Sequence, residues 1–100
     1  MYETMTKIKL PVKYSSLNFQ ERRTIRAEYI KRQSGKCMYC GCDLSKEPPN
    51  FIMLKEIDWS LFPNNFLDYP VHLQHDHETD LTEGAVHAYC NAVMWQYYGW

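Results

Sequence analysis

Two residue pairs constrain this chain more than any other feature. Cys37-x-x-Cys40 and His87-x-x-Cys90 have the same internal spacing and stand 50 positions apart. Two thiolates on a tight turn reach one tetrahedral ion at about 2.3 Å each. Together the pairs offer three sulfurs and one nitrogen, a closed structural zinc site. The plainer reading is a set of buried free cysteines. With 100 residues the chain has room for a single small core, so zinc would contribute directly to folding. The opening Met1-Tyr2-Glu3-Thr4-Met5 has no apolar leader segment, so reduced thiols in a cytoplasmic setting are expected. No apolar run approaches the roughly 18 residues of a membrane span, and no membrane partner is expected. Cys42 is spare: either a substitute ligand or, as we favour, a small core residue.

Residues 1–14 read as an extended arm, with Ile8, Leu10 and Val12 alternating against lysines and Pro11 limiting it to an edge. Residues 15–100 read as one domain. Asn18 with Glu21 fits a capping box, and a helix of about 15 residues should follow. Phe19, Ile25 and Tyr29 should face the core, and Ser34-Gly35 should stop the helix. Residues 44–70 hold four of the five prolines among many aromatics. They predict a long, partly packed loop with one short helical turn. A strand is expected over 71–75, a turn over 78–84, a second strand over 85–87 and a terminal helix over 88–98. Trp95, Tyr97, Tyr98 and Trp100 read as core and interface material.

The net charge of -1 hides an asymmetry. Over residues 18–36, six basic side chains face only Glu21 and Glu28, whereas residues 37–100 carry two lysines against nine acids. Arg22, Arg23 and Arg26 are therefore candidate contacts to DNA phosphates, the other reading being a solvated helix face. No base-edge readers are evident, so low sequence specificity is the default.

The densest chemistry is His72-Leu73-Gln74-His75-Asp76-His77. Alone, the run fits a second metal site or simple surface polarity. Asn91 shifts the balance, because it directly follows Cys90 at the start of the last helix. A strand carrying His, a turn, a second strand and a helix presenting Asn make a β-hairpin-helix that could hold a divalent ion. His75 could deprotonate water and Asn91 could offer a metal oxygen. Phosphodiester hydrolysis needs that combination of base and cation.

On Cys37-x-x-Cys40, the His72–His77 run, Gly84 and His87-Ala88-Tyr89-Cys90-Asn91, the chain resembles HNH (His-Me finger) nucleases of the phage recombination endonuclease VII type. The resemblance spans residues 37–91. It implies an α+β fold, a small zinc-stapled ββα-metal domain with a preceding basic helix. It implies His75 as base and a catalytic Mg²⁺ or Mn²⁺ at Asn91 and the position of Gln74. His72 and His77 would take phosphate or supporting positions. The sequence departs from the family at Gln74, where a metal-binding Asp is usual; Asp76 would share its strand face and compensate. It also departs at His87, where that family has Cys, and at Glu83, where it has a basic residue. The sequence stops at Trp100, short of that family's helical extension, so branched-DNA resolution is not among the expectations. The expected function is metal-dependent, low-specificity DNA cleavage in a phage-infected bacterium. The alternative is a catalytically weak nuclease scaffold that binds DNA or a host protein.

Overall fold

The computed structural model describes residues 8–99. Residues 1–7 of the arm, and Trp100, lie outside the described residues. Asn18 caps the first helix, α1 (Phe19–Arg32), through the expected reciprocal bonds: its side chain accepts from the Glu21 amide at 2.8 Å, and Glu21 accepts from the Asn18 amide at 2.9 Å. Ser34 and Gly35, both left-handed, end it as expected. A short helix α2 (Asn50–Met53) follows. The antiparallel strands β1 (Val71–His75) and β2 (Thr82–His87) then form a hairpin, and α3 (Ala88–Tyr98) closes the chain. The result is a small α+β fold in which α1 and α3 each pack against both strands.

Strand β2 starts earlier than expected, at Thr82, and the turn is correspondingly shorter. Thr82 pairs with His75 across the hairpin, and the arm adds to that pairing. Thr82 donates its amide to the Val12 carbonyl at 2.9 Å, and its hydroxyl accepts from the Val12 amide at 3.0 Å. Lys13 pairs with Leu81 beside them. Tertiary pairing thus extends a strand that local propensity leaves short. The register slips between Gln74 and His75, leaving Glu83 as the extra residue of a bulge. On the outer edge of β2, the Gln33 side-chain amide accepts from the Ala85 amide at 2.9 Å and donates to its carbonyl at 3.0 Å. Gly84 permits that approach, since a Cβ there would lie 2.9 Å from Gln33 Oε1 and 2.7 Å from Met38 Sδ.

Ile25 and Tyr29 are buried as expected, with Leu44, Ile52, Leu73, Val86, Val93 and Met94. Phe19 is not; it is 63% exposed. At about 100° per residue, Phe19 shares a stripe of α1 with Arg22 and Arg26, while Ile25 and Tyr29 form the neighbouring, core-facing stripe. The aromatic tail is also outside the core. Helix α3 buries Ala92, Val93 and Met94, and Trp95, Tyr97 and Tyr98 stay largely exposed at its end. The segment over 44–70 carries two helical turns rather than one, α2 and a 3₁₀ turn Trp59–Leu61. It is anchored by Ile52, which is 1% exposed. No helix among the described residues is long and apolar enough to cross a membrane.

Because Ile52 ties the long loop to the core, Ile52→Ala should cost about 2–5 kcal/mol of unfolding free energy. Urea denaturation followed by Trp fluorescence reads this directly.

Candidate functional site

The zinc-type ligands converge. Cys37 and Cys40 flank a tight turn in which the Cys37 amide donates to the Cys42 carbonyl at 2.8 Å and the Gly41 amide to the Cys37 carbonyl at 2.9 Å. Gly41 takes φ +77°, a conformation strained for any other residue. His87 ends β2 and Cys90 lies in the first turn of α3, three residues on. The four ligand atoms, Sγ of Cys37, Cys40 and Cys90 with one ring nitrogen of His87, all lie within 4.8 Å of one another. His87 Nδ1 is 3.5 Å from both Cys40 Sγ and Cys90 Sγ. A tetrahedral zinc ion would hold nitrogen and sulfur about 3.5 Å apart.

The surroundings prepare these donors. His87 Nε2 lies 3.0 Å from the Asp43 carbonyl and 2.9 Å from the Lys46 carbonyl. Carbonyls only accept, so Nε2 carries the hydrogen and Nδ1 keeps its lone pair for a metal. The Cys42 amide donates to Cys40 Sγ at 3.4 Å and the Cys40 amide to Cys37 Sγ at 3.5 Å. The Cys90 thiol, donating to Cys37, holds Cys37 down at about 4 and is itself pushed up; burial pushes Cys40 up. Three sulfurs this close do not all ionise without a cation between them. The group can therefore hold a metal such as zinc. Cys42 stands outside it, half-buried rather than in the core where it was expected.

A cavity of about 630 Å³ opens beside β1. Gln74, His75, His72, His77 and Asn91 line it, and Arg22 and Arg26 border it from α1. Arg23, turned away on the helix, does not. Asp76 lies outside this cavity, in a neighbouring one of about 390 Å³ with Glu78 and Glu83. Its carboxylate accepts the Glu78 and Thr79 amides at 2.7 and 3.1 Å, which holds its pKa below the usual range. Gln74, His75 and His77 border both cavities. Among the described residues no Asp or Glu lines the larger one.

His72 and Asn91 form a pair. His72 Nε2 lies 2.8 Å from the Phe66 carbonyl, so that nitrogen donates. Burial pushes the His72 pKa down, so its Nδ1 keeps a lone pair and accepts from Asn91 Nδ2 at 3.0 Å. Both ring nitrogens of His72 are thus engaged, and it braces Asn91, leaving Asn91 Oδ1 as the donor available to a ligand. Gln74, 4% exposed, donates its Nε2 to the His75 carbonyl at 2.9 Å.

His75 is held differently. Its ring stacks on Tyr14, with centroids 3.9 Å apart and planes 8° from parallel. The Arg22 guanidinium carbon lies 4.2 Å from the same Tyr14 centroid, so the two groups take opposite faces of that ring. Among the described residues no hydrogen bond reaches the His75 ring. Burial foremost, then the charges of His77 and Arg22, pushes the His75 pKa below its usual value, which leaves an uncharged imidazole at neutral pH. Tyr14 is placed by the hairpin turn: its amide donates to the Asp80 carbonyl at 2.7 Å, and the Ser15 amide and hydroxyl donate to the Asp80 carboxylate. Sequence reasoning missed Tyr14, for which the arm offers no signal beyond an aromatic after Lys13. It also missed the aromatic wall of the cavity, which the Pro- and Asn-punctuated aromatics of residues 59–69 foreshadow. Phe62 and Phe66 supply that wall, with ring centroids 4.7 Å apart.

Among the described residues the cavity offers a divalent ion only neutral side-chain oxygens, those of Asn91 and Gln74 on the His75 side and of Asn65, Tyr14 and Tyr69 elsewhere in the lining. Among the described residues, Cys37, Cys40, His87 and Cys90 are the only grouping of three or more His, Cys, Asp or Glu donors close enough to share a metal. The neutral oxygens of the cavity fit Mg²⁺ or Mn²⁺ weakly and would rely on charge from a bound phosphate. No family model, curated protein or solved structure matches this chain.

The purified chain should carry one tightly held zinc, read by metal analysis. Cys90→Ser should lose it and lower the melting temperature sharply, whereas Cys42→Ser should keep both metal and stability. Replacement by Co²⁺ should give a thiolate-to-metal charge-transfer band.

Proposed function

We propose that the chain is a small endonuclease of the HNH (His-Me finger) type, hydrolysing phosphodiester bonds of DNA with low sequence preference. The observation that supports it best is convergence. Residues from the arm, α1, β1 and α3 meet around one acid-free cavity beside a zinc-type staple. His75 is the base: uncharged at neutral pH and fixed by stacking on Tyr14, it takes a proton from water. Arg22 and Arg26 receive the phosphate. Arg22 Nε is buried without a hydrogen-bond partner among the described residues, and its guanidinium lies over the Tyr14 ring at the edge of the cavity. Asn91 Oδ1, with Gln74, would hold Mg²⁺ or Mn²⁺, which supplies Lewis-acid stabilisation of charge on the phosphorane and leaving oxygen. His72 keeps Asn91 in position. Phage origin, with action in the cytoplasm of an infected bacterium, belongs to the same reading and rests on the resemblance.

One observation favours a second reading, a nucleic-acid or host-protein binding module with weak catalysis. Gln74 stands where a carboxylate would raise metal affinity, and no acid among the described residues enters the cavity.

Zinc-loaded protein is incubated with supercoiled plasmid and Mg²⁺ or Mn²⁺. Nicking is expected at millimolar metal, falling about 100-fold or more in His75→Ala and abolished without the divalent ion. Gln74→Asp should lower the metal concentration needed for half-maximal nicking. No nicking by folded, zinc-loaded wild type and Gln74→Asp would overturn the nuclease reading in favour of the binding module.

A further inference from the structure

We propose that the cavity beside His75 seats an unpaired nucleobase, so that the site takes single-stranded or locally unpaired nucleic acid in preference to intact duplex. This deepens the reading above and rests on it for the phosphate chemistry of the ligand.

Three observations carry it. The first is the composition of the wall. Phe19, Tyr69 and Trp95 are 63%, 55% and 43% exposed, yet all three border the same cavity as Arg22 and Arg26. Exposed aromatics gathered on one concave surface point to a ligand with a flat apolar part. The second is rigidity. Phe62 packs edge-on against Trp95 at 5.4 Å, and Phe66 packs edge-on against His72 at 4.6 Å. The wall is thereby joined to the strand that carries His75 and to the brace of Asn91. The third is charge. Among the described residues two guanidiniums and no carboxylate border the cavity, although acids outnumber bases in the chain. An anion bearing a planar ring matches both halves of the lining.

The size agrees. At about 630 Å³ the cavity falls within the roughly 300–1,000 Å³ of clefts that enclose small molecules. A scissile phosphate and its water alone need much less. Stacked duplex offers such a cleft only its sugar-phosphate edge, because a base must leave the helix to present its face. Stacking on aromatics is also tolerant of base identity. That agrees with an absence of sequence preference while still requiring a base.

The test is equilibrium binding by fluorescence anisotropy, with zinc-loaded full chain and no added Mg²⁺ or Mn²⁺. Three labelled DNAs of equal length are compared: a single strand, a blunt duplex of the same sequence, and an abasic single strand. The natural single strand should bind about tenfold or more tightly than the other two. Phe19→Ala and Tyr69→Ala alter exposed side chains, so zinc content and far-UV circular dichroism should stay unchanged. Each should weaken natural single-strand binding several-fold and leave abasic binding as it was. Equal affinity for natural and abasic strands overturns the proposal. So does a duplex preference, an equal loss on all three DNAs in the variants, or no binding. Because no cleavage occurs in this assay, the two readings separate. Base-dependent binding with an inert plasmid assay would retain the base site and remove the nuclease. Nicking with base-independent binding would do the reverse.

Discussion

Nearly every functional placement in this molecule depends on the junction where β2 becomes α3. His87 and Cys90 bracket that junction, and their sulfur and nitrogen atoms meet those of Cys37 and Cys40 within 4.8 Å. The geometry ties three distant pieces together: the turn after α1, the end of the hairpin and the first turn of the last helix. Asn91 follows Cys90 directly. On a helix, one residue further means about 100° of rotation, so a Cys90 turned to the ligand group presents Asn91 to a different side, the cavity. The carbonyls of Asp43 and Lys46 on His87 Nε2 complete the arrangement, because they decide which ring nitrogen is left for a metal. A chain with so few large buried side chains has little else to hold that rotation.

The second dependence runs through Tyr14. Its ring lies between the His75 imidazole and the Arg22 guanidinium, and so couples the arm, β1 and α1 at one point. Stacking fixes the plane of an imidazole while leaving both nitrogens open. A hydrogen bond would fix one nitrogen and its tautomer. The arrangement thus holds His75 in place by stacking alone, as the proposed role of base would require. It also sets the cost of losing the arm. The clamp at Asp80 is made of exposed hydrogen bonds, each worth little alone, but together they seat the ring that orders His75.

Much of this was legible in the sequence, and the part that was not has a common cause. Periodic or reciprocal local signals were read correctly: the Asn18–Glu21 capping box, the Ser34-Gly35 stop, β1 over 71–75 and the pairing of Cys37 and Cys40 with His87 and Cys90. Each depends on residues within a few positions, or on ligand chemistry with few solutions. Errors arose where tertiary contact decided the outcome. Strand β2 reaches Thr82 by pairing with His75 past a bulge, and Val12, 70 residues away, bonds the same residue. Phe19 was misplaced because apolar character alone does not distinguish the core stripe of α1 from the stripe facing a cavity. Cys42 was assigned to the core, and the tail of α3 to core and interface, on the same reasoning. Asp76 illustrates a different limit: two residues on from Gln74, it was expected to share a face, but its carboxylate closes the turn instead.

Whole-chain charge is a poor guide to such a site. The net value of -1 and the acid-rich second half suggest a surface that repels phosphate. Yet the acids sit elsewhere: Asp43, Asp58, Asp76 and Asp80 each accept hydrogen bonds from nearby turn or arm residues. Helix α1 turns two arginines into a cavity from which carboxylates are absent. Asp80 and Asp76 are close enough to act on His75, where they oppose the lowering of its pKa, but neither lines the cavity. The same partition that favours an anion also removes the carboxylate that a divalent ion would prefer. Under the nuclease reading, anion affinity and metal affinity would therefore oppose one another at this site. Gln74, uncharged and buried beside His75, stands where that opposition is set.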